Sequence, residues 1–239
     1  MLCFLASDAA GQRPAASSSC AASVKSAVPP RNHRLPSAIK PLVPAFAYVT
    51  IVLPLSVTDT LTVYELGNWS RHWEKFDLDQ EGGELSAPDT RLLVTRGGKA
   101  VFQYALKDLA TTDPDSGDWW VNAVAMRAAH LCSDRLDVAY LVVQEGNSGG
   151  FYLALVRSGT SYKLVPVADA YQGRLVLFAS DPRRIEVWTA DGAGACGACS
   201  KPFVVEKLQF DGTKYRQISN HKARKEYAGF QNSPLVVNP

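Results

Sequence analysis

The chain has 239 residues, 46% of them hydrophobic, which is enough to bury the core of one full domain. Its charge is uneven: residues 1–58 hold five basic residues and one acidic residue, whereas the remaining chain holds 20 basic and 22 acidic ones. A nucleic-acid binder carries its basic excess on the folded domain, so the near-neutral body argues against nucleic acid as a partner.

Residues 1–58 are predicted to form a disordered leader. Positions 7–40 are rich in Ala, Ser and Pro and poor in large apolar groups, so they bury too little surface to offset the entropy of ordering. An apolar segment, 42–57, follows Lys40; it is shorter than the roughly 20 residues of a transmembrane helix. A positive charge before a short apolar core is typical of a secretory signal peptide. We therefore expect a secreted or periplasmic protein without a transmembrane span.

Two alternatives to export remain open for this region. The leader is Ser-rich, basic and poor in acids, as organelle transit peptides are. The apolar segment 42–57 also fits a first strand behind a disordered leader, which leaves an organellar or cytoplasmic location possible.

Residues 59–230 predict one all-β domain, followed by a tail at 231–239. Thr60–Leu66 alternates apolar and polar residues, and short segments of this kind recur with glycine-containing turns between them. Trp119–Leu131 also fits helical spacing, but we favour a strand because its neighbours are strands. Further strands are predicted at 91–95, 100–104, 136–144, 151–158, 162–167, 174–179, 185–189, 203–210 and 214–219. Strands do not alternate with long helices, which argues against a parallel α/β sheet.

A pattern in the second half of the chain occurs twice. Leu136 matches Ile185 at an offset of 49 residues, and Gly159-Thr matches Gly212-Thr at an offset of 53. Repeats of this length are typical of propellers and sandwiches. The pattern predicts repeated antiparallel hairpins in a propeller-like or partial propeller fold, with a β-sandwich as the alternative. Both glycines are expected at hairpin tips. The equivalent residues Tyr162 and Tyr215 are expected to pack between sheets.

Residues 128–143 lead from a strand through Cys132-Ser-Asp-Arg-Leu-Asp137 into a second apolar strand. Over about residues 121–218 the chain resembles degenerate integrin-type FG-GAP propeller repeats. The resemblance implies β-propeller blades with a calcium loop between strands. The loop at 132–137 lacks the alternating Asp/Asn ligands and central Gly of such a site, so we expect no bound calcium.

The sharpest chemical motif is Cys196-Gly-Ala-Cys199. Two thiols at this spacing form a disulfide, a redox pair or half of a zinc site. The four residues resemble the active-site motif of thioredoxins, but a strand and not a helix follows them. We therefore favour a structural disulfide in a hairpin loop, and expect Cys132 to be a buried free thiol.

The other chemistry-bearing residues do not predict a catalytic site. His72 and His130 lie in amphipathic segments, so we expect packed side chains and not general bases. Neither a nucleophile-elbow sequence nor a phosphate-binding loop is present. The basic stretch 214–225 is interpreted as a solvated strand face followed by a short helix at 221–227.

We therefore expect a non-catalytic, exported binding or structural module that uses no cofactor or metal. The candidate contact residues are Trp119, Trp120 and Asn147, which lie in or beside loops of the rigid scaffold. A protein or glycan partner is expected, and exposed sheet edges favour a homodimer. The alternatives are a thiol-disulfide oxidoreductase that uses Cys196 and Cys199, and an intracellular scaffold.

Overall fold

The computed structural model describes residues 25–26, 37, 39–45, 47–66, 89–109, 123–133, 136–145, 149–169, 174–190, 203–223 and 235–238. Nearly all of them belong to strands, and one short 3-10 helix is present at Leu106–Asp108. The described strands are β1 (Lys25–Ser26), β2 (Tyr48–Pro54), β3 (Asp59–Leu66), β4 (Asp89–Arg96), β5 (Lys99–Ala105), β6 (Ala123–Ser133), β7 (Leu136–Glu145), β8 (Gly149–Ser158), β9 (Ser161–Asp169), β10 (Arg174–Phe178), β11 (Arg184–Ala190), β12 (Phe203–Phe210), β13 (Tyr215–Ala223) and β14 (Leu235–Asn238).

The strands form three sheets, each built on an antiparallel meander of four consecutive strands. Sheet I contains β2, β3, β4 and β5 in that order, and sheet II contains β6 to β9 with β1 beside β6. Sheet III contains β10 to β13, with β14 paired in parallel to β10. The predicted all-β fold of repeated antiparallel hairpins is therefore confirmed.

Sheet II lies between the other two sheets. Residues 138–142 of β7 are each at most 1% exposed, and residues 152–156 of β8 are also buried, so both faces of these strands are covered. One face packs with sheet I and the other with sheet III. The first strands β2 and β6 touch, and so do the last strands of neighbouring sheets. The sheets are thus stacked in sequence order and in the same orientation, as consecutive propeller blades are.

The internal repeat corresponds to equivalent positions in sheets II and III. Leu136 is the first residue of β7, and Ile185 is the second residue of β11. Each of these strands is the second in its meander. Gly159 and Gly212 lie in the turns between third and fourth strands, with φ of 58° and 103°. Both glycines thus supply the positive φ that the sequence predicted. Tyr162 packs in the core between sheets I and II, whereas the equivalent Tyr215 belongs to the core between sheets II and III.

The apolar segment at 42–57 is part of the fold. Residues 48–54 form β2, one of the two edge strands of sheet I, where alternate side chains enter the core next to sheet II. On the other face of sheet I, Ile39, Val43 and Ala47 cover Tyr64 and Leu93. The folded body therefore includes residues from Ile39 onward, and does not begin at residue 59. Of the leader, Lys25 and Ser26 also pair with β6.

Two predictions near the C-terminus are wrong. The predicted tail contains β14, because the apolar residues Leu235, Val236 and Val237 extend sheet III beside β10. The helix predicted at 221–227 is absent over residues 221–223, which continue β13 because they pair with β12.

The segment 119–131, which fits both a helix and a strand, is a strand from Ala123 onward, which confirms the strand prediction for those residues. The described residues contain no helix long and apolar enough to span a membrane.

Replacing Gly212 by alanine is expected to lower the free energy of unfolding by about 1–2 kcal/mol, because its φ of 103° is strained for a residue with a Cβ. The matched change is Gly159→Asn, since asparagine tolerates a φ near 58°. Urea unfolding of both variants measures the difference. Equal losses would show that the turn conformation at Gly212 is not the cause.

Mature protein from its native host is expected to retain β2. Cleavage near residue 58 would remove Val49, Ile51 and Leu53, which are all at most 1% exposed, and each contributes about 1.5–3 kcal/mol by burial. Intact-mass spectrometry reads the N-terminus directly and is expected to find it before Ile39. An N-terminus close to residue 58 would contradict the role assigned to β2.

Candidate functional site

The five residues predicted as site residues, Trp119, Trp120, Asn147, Cys196 and Cys199, lie outside the described residues. The structure therefore bears on other groups. Its chemically notable feature is a set of polar side chains at one end of the interface between sheets I and II.

Four residues, one from each strand of the β6–β9 meander of sheet II, form what we call the polar row: Cys132, Asp137, Arg157 and Tyr162. Cys132 of β6 lies opposite Asp137 of β7, and Arg157 of β8 lies opposite Tyr162 of β9. The Nη1 atom of Arg157 donates to Oδ2 of Asp137 at 3.3 Å, which connects the two halves. Side chains opposite one another on adjacent strands share a face, so the row lies on the side that faces sheet I.

His130 joins the polar row from the neighbouring position on β6. It lies two residues before Cys132, and therefore on the same face of the strand. Its Nε2 is 2.7 Å from Oδ1 of Asp137, while Nδ1 is buried without a hydrogen-bond partner among the described residues. The residue is 3% exposed. The prediction of a packed histidine is confirmed, and the carboxylate that holds the ring was not foreseen.

Tyr162 links the polar row to sheet I. Its hydroxyl donates to Oδ2 of Asp59 at 2.8 Å, and Arg96 binds both oxygens of the same carboxylate, at 2.8 and 2.5 Å. Asp59 is fully buried. The bonds from Arg96 outweigh the effect of burial and hold the pKa of Asp59 well below its usual range. Burial and the adjacent carboxylate raise the pKa of Tyr162, which therefore stays a hydrogen-bond donor.

A second buried polar contact connects sheets II and III. The Tyr140 hydroxyl donates to the carbonyl of Pro182 at 2.5 Å and lies 2.7 Å from the Tyr215 hydroxyl. Burial raises the pKa of both tyrosines, so the pair is neutral at physiological pH. The middle sheet is thus hydrogen-bonded to each of its neighbours through side chains.

Glu65 is a further perturbed carboxyl group. Its cross-strand neighbours are Tyr48 on β2 and Thr90 on β4. Burial raises the pKa of Glu65 to about 7, and the Thr90 hydroxyl is buried without a hydrogen-bond partner among the described residues. Sequence reasoning missed this group because Glu65 occurs in an ordinary alternating strand.

One group of described side chains has the spacing of metal ligands. Ligand atoms of His130, Cys132 and Asp137 all lie within 4.8 Å of one another. Cys132 is disulfide-bonded, so the prediction of a free thiol is wrong. In this oxidised form its sulfur is not a thiolate, which is the form that binds metals. Of the three residues, only Asp137 has the oxygen ligands that calcium prefers.

Burial limits what the polar row can do as a catalyst. A general base must reach a substrate proton directly or through one water, but His130 is covered on the face shared with sheet I. Asp59, Arg96 and Tyr162 hold two sheets together through bonds that occupy their polar atoms. The arrangement therefore supports the scaffold in preference to acid–base chemistry.

The outer strand of sheet III differs from the rest of the described strands. Residues 216–222 of β13 are all exposed, so both faces of the strand are open to solvent. Lys207 pairs with Ser219 and Leu208 with Gln217, which leaves Ile218 as an extra residue in a β-bulge. Ile218 is 50% exposed. The prediction of a solvated strand face is confirmed here.

Comparison with known proteins gives no relative from which a function can be transferred. The chain matches no protein-family model, and no curated protein or solved structure is significantly similar to it.

Replacing Asp59 by asparagine is expected to cost about 2–3 kcal/mol of stability, because the fully buried side chain loses its charge-assisted hydrogen bonds from Arg96. The matched change is Asp211→Asn. That carboxylate also binds an arginine, Arg216, but on the surface, so we expect little change. Urea unfolding at neutral pH compares the two variants, and equal effects would contradict the structural role of Asp59.

The same interaction predicts an acid dependence of stability. The folded-state pKa of Asp59 is depressed, so its contribution is present above the unfolded pKa, about 4, and is lost as pH falls below it. Urea midpoints of the wild type and the Asp59→Asn variant are expected to converge as pH is lowered below about 4. A constant difference across that range would contradict the assignment.

Proposed function

We propose that this protein is a non-catalytic binding module that recognises a protein partner along β13. The observation that carries the proposal is the exposure of both faces of this strand over residues 216–222. In sheet II, by contrast, the central strands bury both faces. A long exposed strand at the edge of a rigid sheet is a common site for recognition of extended peptides.

The chemistry of β13 favours a partner with acidic side chains. The strand contains Arg216, His221 and Lys222 and no acidic residue. Arg216 forms an ion pair with Asp211, and the exposed Lys214 precedes the strand. Two copies of β13 would bring like charges together, and the bulge at Ile218 interrupts regular pairing. These features favour a different chain over the homodimer suggested by the open edge.

We infer an oxidising compartment, outside the cytoplasm, as the site of action. The support is the disulfide at Cys132, because protein disulfides persist where thiols are not kept reduced. The stacked meanders are also compatible with the proposed relation to FG-GAP propeller repeats, whose calcium site we do not carry over.

Photo-crosslinking in the native host tests this function. A benzophenone amino acid replaces Ile218 in one variant and Val57 in a matched control, because Val57 is an apolar residue that is 92% exposed in the turn between β2 and β3. We expect one heterologous adduct from position 218 and none from position 57. The adduct yield should fall several-fold with Lys214→Glu and remain with Lys99→Glu, an exposed lysine on β5.

Three outcomes contradict the proposal. Adducts of equal yield from both positions indicate non-specific capture. The absence of any adduct from position 218 would show that β13 is not the binding surface. An adduct between two copies of the chain would show that the partner is a second copy of this protein and not a different acidic chain.

A further inference from the structure

The geometry points to a redox-controlled metal site: we propose that reduction of the Cys132 disulfide allows His130, Cys132 and Asp137 to bind one Zn²⁺ ion. This inference concerns the interior of sheet II and does not depend on the function proposed for β13.

Ligand type and spacing support zinc. The three residues offer an imidazole nitrogen, a sulfur and a carboxylate oxygen, all within 4.8 Å of one another. These are the donor atoms that zinc takes in proteins, and three protein ligands leave a fourth tetrahedral position for water. Magnesium and calcium prefer oxygen ligands alone, so this mixed set disfavours them.

The three ligands are held by paired strands and not by a flexible loop. His130 and Cys132 are two residues apart on β6, and therefore lie on one face of it. Asp137 is the residue opposite Cys132 on β7. Because ordered strands set these positions, little further ordering is needed when a metal binds.

An independent observation comes from the ring of His130. The residue is 3% exposed, and its Nδ1 has no hydrogen-bond partner among the described residues. A buried polar atom without a partner is uncommon and costs about 1–3 kcal/mol. The ring presents Nε2 to Asp137 at 2.7 Å, so Nε2 is the nitrogen placed to bind an ion shared with that carboxylate, and the proton of the neutral ring then lies on Nδ1.

Arg157 acts as a supporting residue for the carboxylate. It donates to Oδ2 of Asp137 at 3.3 Å, while Oδ1 faces His130. Carboxylates that bind metals are commonly oriented by such an outer hydrogen bond. The positive charge of Arg157 also balances Asp137 when no metal is bound.

The oxidation state of Cys132 controls the site. In the disulfide its sulfur carries no proton or charge to exchange for a metal. A dithiol reductant supplies two electrons and two protons, so the S–S bond breaks, two thiols form and the reductant becomes a disulfide. Zinc then displaces the proton of the Cys132 thiol, which is released to solvent, and the thiolate binds the ion.

Cobalt binding to the full-length chain tests the site. The protein is reduced with a phosphine, which leaves no competing thiol, and titrated with Co²⁺ under nitrogen. We expect a thiolate-to-cobalt absorption band that saturates at one equivalent and disappears on addition of Zn²⁺. The oxidised chain should show no such band, and cobalt binding to it should be at least tenfold weaker.

Matched variants identify the ligands. Cys132→Ser should abolish the band, whereas the double change Cys196→Ser/Cys199→Ser should retain it. Asp137→Asn should raise the Kd for Co²⁺ at least tenfold, whereas Asp211→Asn, a change at a remote surface carboxylate, should leave it unaltered. A band that survives Cys132→Ser, or that vanishes in the double variant, overturns the proposal.

A second measurement requires no variant and covers the case in which Cys132→Ser does not fold. The reduced wild-type chain is alkylated with and without Zn²⁺, and each cysteine is quantified by peptide mass spectrometry. We expect zinc to slow modification of Cys132 at least tenfold relative to Cys196. Equal protection of both cysteines, or protection of Cys196 alone, refutes the site.

Discussion

The burial of sheet II on both faces is the constraint on which the rest of the structure depends. A sheet with one solvated face alternates apolar and polar residues, but β7 and β8 have no solvated face over their central residues. Their side chains must therefore be apolar in both directions or have bonding partners. Residues 138–142 of β7 are apolar apart from the hydroxyl of Tyr140. That hydroxyl has a bonding partner, because it donates to the carbonyl of Pro182.

The few polar groups in these interfaces consequently have strong structural effects. Asp59 is tolerated in the core because Arg96 and Tyr162 supply donors to both of its oxygens. The pair Tyr140 and Tyr215 plays a comparable part on the other face of sheet II. Such bonds fix how one sheet is seated on the next, since apolar contacts alone are non-directional.

His130 departs from this pattern of satisfied groups, as the buried hydroxyl of Thr90 also does. One of its ring nitrogens is held by Asp137, and the other has no partner among the described residues. The neighbouring sulfur of Cys132 is held in a disulfide, so the proposed zinc site requires reduction of that bond. Sheet III has the opposite character at β13, where residues 216–222 are exposed, and the proposed recognition of a partner rests on that exposure. The two proposals therefore concern separate parts of the molecule.

The sequence by itself determined most of the strands, the glycine turns and the equivalence of Tyr162 with Tyr215, because these follow from local alternation, positive φ and an internal repeat. It also indicated that His130 is packed. Only the tertiary structure decided that 48–54 is a strand of the core and that Leu235–Asn238 extends sheet III, since short apolar segments have several possible uses until their neighbours are known. The contacts from Asp59 to Tyr162 and from His130 to Asp137 span 103 and 7 residues, and no local pattern specifies either. Such contacts arise from the stacking of sheets and from strand register, which are properties of the folded chain as a whole.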